Sequence, residues 1–466
     1  ILNAGNVIQN CNIFDYFISS GASNGVFLST NNDNWTISGN KFYQTVARAH
    51  STIITSNTAA IDIVAGSAGD DFQITNNTIG YSSAAGTGTY TISGVVDFAA
   101  ITISASANTA VSNISNNIIT AISVTSSKSG SNTAAPFNGI YVAANTTWAN
   151  ITGNTIGSLD NTTNIALTST SSSAADFNGI FSQSTSAQAT DVSNNNIGSI
   201  TINNASAGNS SFYGIFTTGT SAASYTITNN KIGFAPAAVI NCNTTNTATE
   251  VWGIMCNSGK NTITGNTVSY LNMTAANVGS VPNLHAMMGI GMSSSGTGVV
   301  FSQNTVHSLS NTATTGAVQV VGLMYDGPTT GTNVIARNLV HSLSGASSNG
   351  QVSGIYVNTG TATIQNNMVR LGIDNAGNSI TTPASFIGIR KEGSSATAIY
   401  FNSIYIGGTG VGTTATNTYA LYRTTTTTDP IQNNILANVR SNSSTGGKHY
   451  AVYLTSTTGT GSVNGN

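Results

Sequence analysis

The sequence predicts an all-β fold, a parallel β-solenoid built from one repeated unit. A six-residue motif, Ile-x-(Asn/Gly/Gln)-Asn-x-(Ile/Val), recurs along the whole chain. A second motif, aromatic-x-Gly-Ile-aromatic, lies between successive copies of the first, and the intervals between its copies are 31–40 residues. Short strands that return at a nearly fixed period, without helical patterns between them, are typical of a solenoid.

The composition excludes several other classes of protein. Only 6% of the 466 residues are charged, with 12 Lys and Arg against 14 Asp and Glu. A nucleic-acid-binding protein needs a basic surface that so few cations do not supply. No apolar run approaches the roughly 20 residues that cross a membrane. The sequence therefore predicts no nucleic-acid partner and no membrane span.

The first motif predicts a column of structural asparagines. It reads ISGNKF at Ile37, ITNNTI at Ile74 and ISNNII at Ile114, and its alternation is that of a strand. Equivalent residues of successive coils stack about 4.8 Å apart, and an Asn side chain both donates and accepts hydrogen bonds. We therefore expect a hydrogen-bonded ladder. Its members are Asn40, Asn77, Asn117, Asn154, Asn195, Asn230, Asn266, Asn304, Asn338, Asn367, Asn402 and Asn434, with Cys11 in the same place of an extra first copy.

The second motif fixes the number of coils. It reads FNGIY at Phe137 and FNGIF at Phe177, and its Gly or Ala recurs from Gly25 to Ala451. Each Gly or Ala precedes the next motif Asn by 13–17 residues, whereas 16–25 residues separate that Asn from the following Gly or Ala. One arc is nearly constant, so we predict about 13 coils, each with one long variable loop.

The two motifs together resemble the right-handed parallel β-helix of the pectin-lyase-like proteins. The ITGNTIG repeats at Ile151 are also similar to segments of very large secreted surface proteins of gliding and predatory Bacteroidota. The resemblance covers essentially residues 1–466 and implies a single right-handed solenoid at the cell surface or outside the cell. Because no polar cap is evident at either end, we expect a segment of a longer polypeptide.

A column of large apolar residues is the strongest candidate interface. It stands two residues after the repeat Gly or Ala, where alternation points side chains outward. Large apolar stripes seldom stay exposed, so either the long loops cover the column or another subunit or ligand does. The candidate interface residues are Tyr141, Phe181, Phe216, Met255, Met324, Tyr356, Tyr422 and Tyr453.

The resemblance also implies where catalytic chemistry would be sought. Enzymes with this fold use clustered carboxylates to bind calcium, together with an Arg or Lys base. The nearest candidates are Asp62, Asp70, Asp71 and Asp97, and no Lys or Arg has an obvious place beside them. We expect these carboxylates to solvate loops, so no catalytic residue and no cofactor is predicted, and calcium stays an open alternative.

A small basic column gives one further candidate site. His307 and His341 each lie three residues after a motif Asn, and Arg370 holds the same place in the next coil. Three stacked basic side chains could bind a small anion or a carboxylate. The alternative is a variable column that faces solvent.

These features favour a non-enzymatic role. The sequence predicts a structural or adhesive rod of a secreted surface protein or extracellular appendage, which assembles with copies of itself as an oligomer or filament. One alternative is a polysaccharide lyase or hydrolase, which the scarcity of Arg, Lys and paired carboxylates argues against. Another is a surface that binds glycans, such as those of a cell surface.

Overall fold

The computed structural model describes residues 2–52, 58–131, 134–206, 208–220, 222–234, 238–257, 259–277, 286–412, 416–443, 446–455 and 460–466. The chain divides into two compact units, Ile1–Thr244 and Thr245–Asn466. Each unit is a parallel β-solenoid, and the two units together contain about 12 turns. No α-helix occurs among the described residues, and so none there could cross a membrane. The predicted all-β solenoid is confirmed.

Each unit contains three parallel sheets, which we name by their place in the repeat. Sheet A holds the strand before the motif Asn, sheet B holds the strands after it, and sheet C holds the Gly-Ile strand. The sheet A strands of unit 1 are Val7–Gln9, Thr36–Ser38, Gln73–Thr75, Ser112–Ser115, Ala149–Thr152, Ala189–Ser193 and Ser224–Thr228. Those of unit 2 are Lys260–Thr264, Val300–Ser302, Val334–Ala336, Ala362–Gln365, Thr397–Tyr400, Asp429–Gln432 and Thr460–Asn464.

Sheet B shows that the long arc of the repeat is more than a loop. The sheet B strands of unit 1 are Asn12–Phe14, Lys41–Tyr43, Arg48–His50, Thr78–Gly80, Tyr90–Gly94, Ile118–Thr120, Ile122–Ser126, Thr155–Gly157, Ile165–Ser169, Asn196–Gly198, Ile200–Asn204, Lys231–Ile232 and Ile240–Asn243. Most coils there contribute two strands. Those of unit 2 are Thr267–Met273, Thr305–Asn311, Leu339–His341, Ser344–Gly345, Met368–Leu371, Ser403–Ile406 and Ile435–Asn438.

Sheet C carries the second motif. Its strands in unit 1 are Asn24–Leu28, Thr58–Gly66, Phe98–Ala105, Phe137–Val142, Phe177–Ser182 and Phe212–Thr217. Those of unit 2 are Val251–Cys256, Met287–Ser293, Gln319–Asp326, Gln351–Thr359, Ser385–Lys391, Thr418–Arg423 and His449–Leu454. A short pair, Asn3–Ala4 with Asn32–Asp33, adds to unit 1.

The register of the strands stacks equivalent residues of the repeat. In unit 1, Ile37 pairs with Ile74, and Ile74 pairs with Ile114. In unit 2, Ile364 pairs with Ile399 in the same way. These side chains are fully buried, and each contributes about 1.5–3 kcal/mol through the removal of apolar surface from water. The core is therefore made of columns of one residue type.

The motif asparagines form the expected ladder within each unit. The side-chain oxygen of Asn77 accepts the backbone N–H and the side-chain amide of Asn40, at 3.0 and 3.1 Å. The same pair of bonds joins Asn402 to Asn434 in unit 2, at 2.9 Å each. The amide also donates to a strand carbonyl of the preceding coil, as Asn77 does to Ile37 at 2.8 Å. Predicted asparagine stacking is therefore confirmed.

The ladder continues beyond the twelve predicted asparagines at both of its ends, at the predicted Cys11 and at Asn466, which the motif did not predict. The backbone N–H of Cys11 donates to the side-chain oxygen of Asn40 at 2.9 Å, so Cys11 occupies a ladder position without continuing its side-chain bonds. Asn466 accepts from both nitrogens of Asn434 at 2.9 Å and donates to Ile431 at 3.0 Å. Asn466 is thus a further member of the ladder.

The residue before each ladder Asn adopts a left-handed backbone. Its φ is 57° at Asn76, 68° at Gly153 and 58° at Arg337. Asn and Gly enter this region at the lowest cost, which explains why they dominate the third motif position. Even Phe401 adopts it, with a φ of 56°. The turn between sheets A and B is therefore set by the fold rather than by the side chain.

The Gly of the second motif permits a close approach between coils. A Cβ on Gly139 would lie 2.4 Å from the carbonyl oxygen of Gly179. Phe137 and Ile140, three residues apart, are both fully buried, so the strand departs from strict alternation at this Gly. The rings two residues before the Gly consequently stack in the interior. The rings of Phe137 and Phe177 are nearly parallel, and their centroids lie 4.4 Å apart.

Candidate functional site

The structure divides the candidate interface column into a covered part and a half-exposed part. Within each unit its members lie in one register of sheet C, as Tyr141 with Phe181 in unit 1 and Tyr422 with Tyr453 in unit 2. The five that are buried are Phe181, Phe216, Met255, Met324 and Tyr356. These five side chains offer no open surface to a partner, because the chain itself covers them. Tyr141, Tyr422 and Tyr453 are half-buried, and an interface at these three stays a prediction.

Four tyrosines form a cluster at the C-terminal end of sheet C in unit 2. Tyr419 stacks on Tyr450, with centroids 5.4 Å apart, and Tyr422 stacks on Tyr453 at 5.6 Å. Tyr419 and Tyr422 also contact each other at 4.8 Å. All four are half-buried, and within the described part of the chain no hydroxyl of the four makes a hydrogen bond. We call this set the tyrosine cluster.

Half of the tyrosine cluster was missed by the sequence analysis. Tyr419 and Tyr450 pair with each other in register, one residue before Ala420 and Ala451. The repeat carried a signal for them, because the residue immediately before the Gly or Ala is aromatic in two neighbouring coils. The column two residues after the Gly or Ala does not contain this pair.

A cavity of about 450 Å³ lies beside the tyrosine cluster. Its lining combines Tyr419 and Tyr422 with the polar side chains of Gln351, Ser385 and Asn417. The Ser385 hydroxyl donates to the carbonyl of Asn417 at 2.8 Å. Flat aromatic rings next to amide and hydroxyl groups can hold a ligand that has both an apolar face and hydroxyls.

An ion pair stands in the same sheet C column as the tyrosines. Arg390 pairs in register with Tyr356 on one side and Tyr422 on the other. Its guanidinium lies 2.7 Å from Glu392 and 4.5 Å from the ring centroid of Tyr356, whose hydroxyl donates to Glu392 at 2.9 Å. Both charges are therefore satisfied internally, and the cluster beside them is neutral.

The predicted basic column is assembled on the outer face of sheet B in unit 2. His307 pairs with His341, which pairs with Arg370. The two imidazoles are parallel, with centroids 4.8 Å apart, which is the strand spacing. Burial, with His307 and Arg370 nearby, lowers the pKa of His341 to about 4. Burial also lowers the pKa of His307, so both rings are neutral at pH 7 and only Arg370 carries charge.

The acidic candidates are all engaged in structural bonds. Asp70 accepts the backbone N–H groups of Thr109 and Ala110 at 2.7 and 2.8 Å. Asp62 accepts the Thr102 hydroxyl at 2.5 Å, and burial raises the pKa of the Asp62 carboxyl. Asp71 accepts the side-chain amide of Gln73, two residues further along the chain, at 2.8 Å. These carboxylates hold neighbouring coils and turns together.

The expectation that no Lys or Arg lies beside these acids is wrong for Asp97. Asp97 forms an ion pair with Lys128, a base that the sequence analysis did not place beside any of the four. Lys128 follows a strand of sheet B, whereas Asp97 precedes a strand of sheet C, so no local spacing connects them. In the described ranges, His, Cys, Asp and Glu form no group of three or more that could hold a metal ion.

Comparison with known proteins adds no functional assignment. The chain matches no known family model, no curated protein and no solved structure. The relation to pectin-lyase-like proteins and the Bacteroidota source therefore stay predictions.

Proposed function

We propose that the chain is a structural and adhesive segment of a secreted cell-surface protein or extracellular appendage. The ladder and the stacked core provide a regular scaffold, and the tyrosine cluster is the contact surface on it. The observation that carries the proposal is this half-exposed cluster of four mutually stacked tyrosines. Tyrosines bury a large area at low entropic cost and keep a hydroxyl for the partner.

The favoured partner of this surface is a second copy of the chain. The chain has a formal net charge of only −2, so copies repel each other weakly. Arg390, which pairs in register with Tyr422, and Glu392 neutralise each other. An aromatic, uncharged patch of this kind resembles the centre of a protein interface.

The test compares assembly of the wild-type chain with that of a cluster variant. Tyr419→Ser with Tyr450→Ser removes one stacked pair and should weaken self-association by at least about tenfold. Tyr400→Ser is the matched control, because Tyr400 is a half-buried tyrosine outside the cluster. Sedimentation velocity measures the association, and electron microscopy of native material shows whether rods join. A wild-type chain that stays monomeric in both would contradict self-assembly.

The cavity beside the cluster favours one second candidate, a glycan-binding surface. Pyranose rings present an apolar C–H face to an aromatic ring and hydroxyls to the amides of Gln351 and Asn417. A glycan array probed with the wild type, the double serine variant and Tyr400→Ser separates this role from self-assembly. Loss of a glycan signal in the double variant alone would support it.

The enzymatic alternative receives less support. Glycoside hydrolysis needs two carboxylates that flank the scissile bond, and Asp62, Asp70 and Asp97 are tied to structural partners. We expect no cleavage of uronate or neutral polysaccharides with or without calcium. Product release from any of them, in a chain-cleavage assay, would revive this alternative.

A further inference from the structure

Unit 2 contains a cleft on the outer face of sheet B, apart from the tyrosine cluster. It encloses about 600 Å³, within the range of small-molecule sites. Its apolar lining includes Leu339, Met368, Ile404 and Ile435. Met368 is 60% exposed and Ile435 is 67% exposed, so these side chains form open walls that a ligand could cover.

The cleft also contains one cation that has no anionic partner. Arg370 is half-buried, and among the described residues its guanidinium forms no ion pair. One of its terminal nitrogens donates to the Ser342 hydroxyl at 3.3 Å and to the backbone carbonyl of Asp374 at 3.0 Å. Its Nε is shielded from solvent and makes no hydrogen bond there. This guanidinium therefore retains a full charge and spare donor capacity.

The nearest acid does not neutralise that charge. The carboxylate of Asp374 faces its own loop, where it accepts the backbone N–H groups of Ala376 and Asn378 at 2.9 and 2.8 Å. Its second oxygen accepts the Asn378 side-chain amide at 3.1 Å. Arg48, Arg390 and Arg423 each pair with a carboxylate. Arg440, which forms no ion pair among the described residues either, is buried and donates to the carbonyls of Gly407 and Thr382. Arg370 thus combines a missing counter-ion with a place in an apolar cleft.

Flat groups continue along the same column of the sheet. The parallel rings of His307 and His341 are followed in register by Arg370 and then by Tyr405. Tyr405 is 42% exposed and lines the cleft, as His341 does. Because both imidazoles are uncharged at pH 7, they add ring surface and hydrogen-bonding groups rather than charge.

We propose that this cleft binds a small aromatic carboxylate, with the carboxylate at Arg370 and the ring between the apolar walls and the planar column. An arginine suits a carboxylate because its planar fork can donate two parallel hydrogen bonds. A ring suits the lining because Met368, Ile435 and Tyr405 offer apolar area without further charge. The site is independent of the proposed structural and adhesive role.

The experiment titrates the whole chain with benzoate and phenylacetate, using NMR or calorimetry. Two comparison compounds separate the parts of the ligand: benzyl alcohol keeps the ring without charge, and acetate keeps the charge without the ring. We expect both aromatic carboxylates to bind at least about tenfold more tightly than either comparison compound. Equal binding of benzoate and benzyl alcohol, or of benzoate and acetate, would overturn the proposal.

Variants test the two halves of the site. Arg370→Gln should weaken benzoate binding at least about tenfold, whereas Arg337→Gln, at an exposed arginine outside the cleft, should not change it. Arg370→Gln also removes a hydrogen bond to the Asp374 loop. A second pair of variants, at Ile435, therefore tests the site without changing Arg370. Ile435→Asp and Ile435→Asn differ only in charge at the open wall, and the Asp variant should bind benzoate about fivefold more weakly.

The remaining outcomes also decide the matter. Equal benzoate affinity in the two Ile435 variants and in Arg370→Gln would overturn the site. The proposal is also overturned if the wild-type chain does not bind benzoate. If that wild-type chain is a dimer and the Ile435→Asp variant is a monomer, a second copy of the chain covers the cleft.

Discussion

The side-chain oxygen of Asn117 accepts two hydrogen bonds from Asn77, one from its backbone N–H and one from its side-chain amide, each at 3.0 Å. Asn117 in turn donates its amide to Ile74 and to Asn154, at 2.9 Å each. One buried side chain therefore satisfies donors and acceptors of three coils. In Asn117→Ala the buried backbone N–H of Asn77 loses its acceptor, whereas the Asn77 amide keeps its bond to Ile37 and the side-chain oxygen of Asn154 keeps the backbone N–H of Asn117.

Asn117→Ala should accordingly destabilise the chain by about 3 kcal/mol or more, since each lost side-chain hydrogen bond contributes about 1 kcal/mol and the buried donor left without an acceptor adds about 1–3 kcal/mol. Asn116→Gly is the matched control. Asn116 is exposed and has a φ of 56°, a conformation that Gly adopts easily. Urea unfolding of both variants measures the difference, and an equal effect of the two would mean that the ladder bonds add little.

The left-handed turn predicts a stabilising substitution. Phe401 is 54% exposed and has a φ of 56°, where a bulky side chain costs about 1–2 kcal/mol. Phe401→Asn should therefore raise the free energy of unfolding by about 1 kcal/mol. The reverse change in the next coil, Asn433→Phe at the same φ of 56°, should lower it by a similar amount. Thermal unfolding of the two variants checks this, and shifts of the same sign would refute the explanation.

The interior stack of phenylalanines predicts a large cavity effect. The ring centroid of Phe177 lies 4.4 Å from that of Phe137 and 5.8 Å from that of Phe212, and all three are fully buried. Phe177→Ala should cost about 3–5 kcal/mol through lost burial and an unfilled cavity. Phe27→Ala, at a ring that is 55% exposed, should change stability by less than about 1 kcal/mol. Denaturant midpoints compare the two, and a small loss at Phe177 would count against close packing.

How far the sequence could predict the structure depends on whether a feature repeats. Ile74, Asn77 and Gly139 are predictable because each belongs to a column in which the same chemistry returns in every coil. The left-handed turn escaped prediction because Asn, Gly, Gln, Arg and Phe all occupy it, which hides a backbone requirement behind unlike side chains. The burial of Phe137 escaped because the close approach at Gly139 breaks strict alternation.

Features that occur once are the hardest to predict. The ion pair of Asp97 with Lys128 joins different sheets at positions that no repeat links. The charge state of the basic column was also beyond the sequence, because burial decides that His341 is neutral. The register of His307, His341 and Arg370 was predictable from the Asn motif alone, whereas the apolar cleft around Arg370 depends on side chains from several coils.

A buried charge network gives a further prediction. Arg423 and Asp429 are both fully buried and 3.3 Å apart, and Asp429 also accepts the backbone N–H of Thr397 at 2.7 Å. Lys391 is buried nearby, and burial lowers the pKa of its amine, while the charge of Asp429 acts in the opposite direction. Asp429→Asn removes the only negative charge of this group and should destabilise the chain by about 3–5 kcal/mol. The exposed Asp160→Asn should leave the unfolding midpoint unchanged, and an equally harmless Asp429→Asn would contradict this account.

The imidazole of His341 predicts how stability and charge respond to pH. Its pKa is lowered to about 4 by burial first, then by His307 and Arg370, whereas an unfolded His has a pKa of about 6.5. Between these two pH values the unfolded state binds more protons than the folded state. The contribution of His341 to the free energy of unfolding is therefore complete above about pH 6.5 and is lost as the pH falls towards 4. Arg370→Gln removes one of the three causes and should raise the pKa of His341. NMR titration of the imidazoles measures this shift, with His50 as an internal control because burial alone lowers its pKa. An unchanged His341 pKa in that variant would mean that the guanidinium does not act on the ring, and it would weaken the assignment of Arg370 as the charged centre of the cleft.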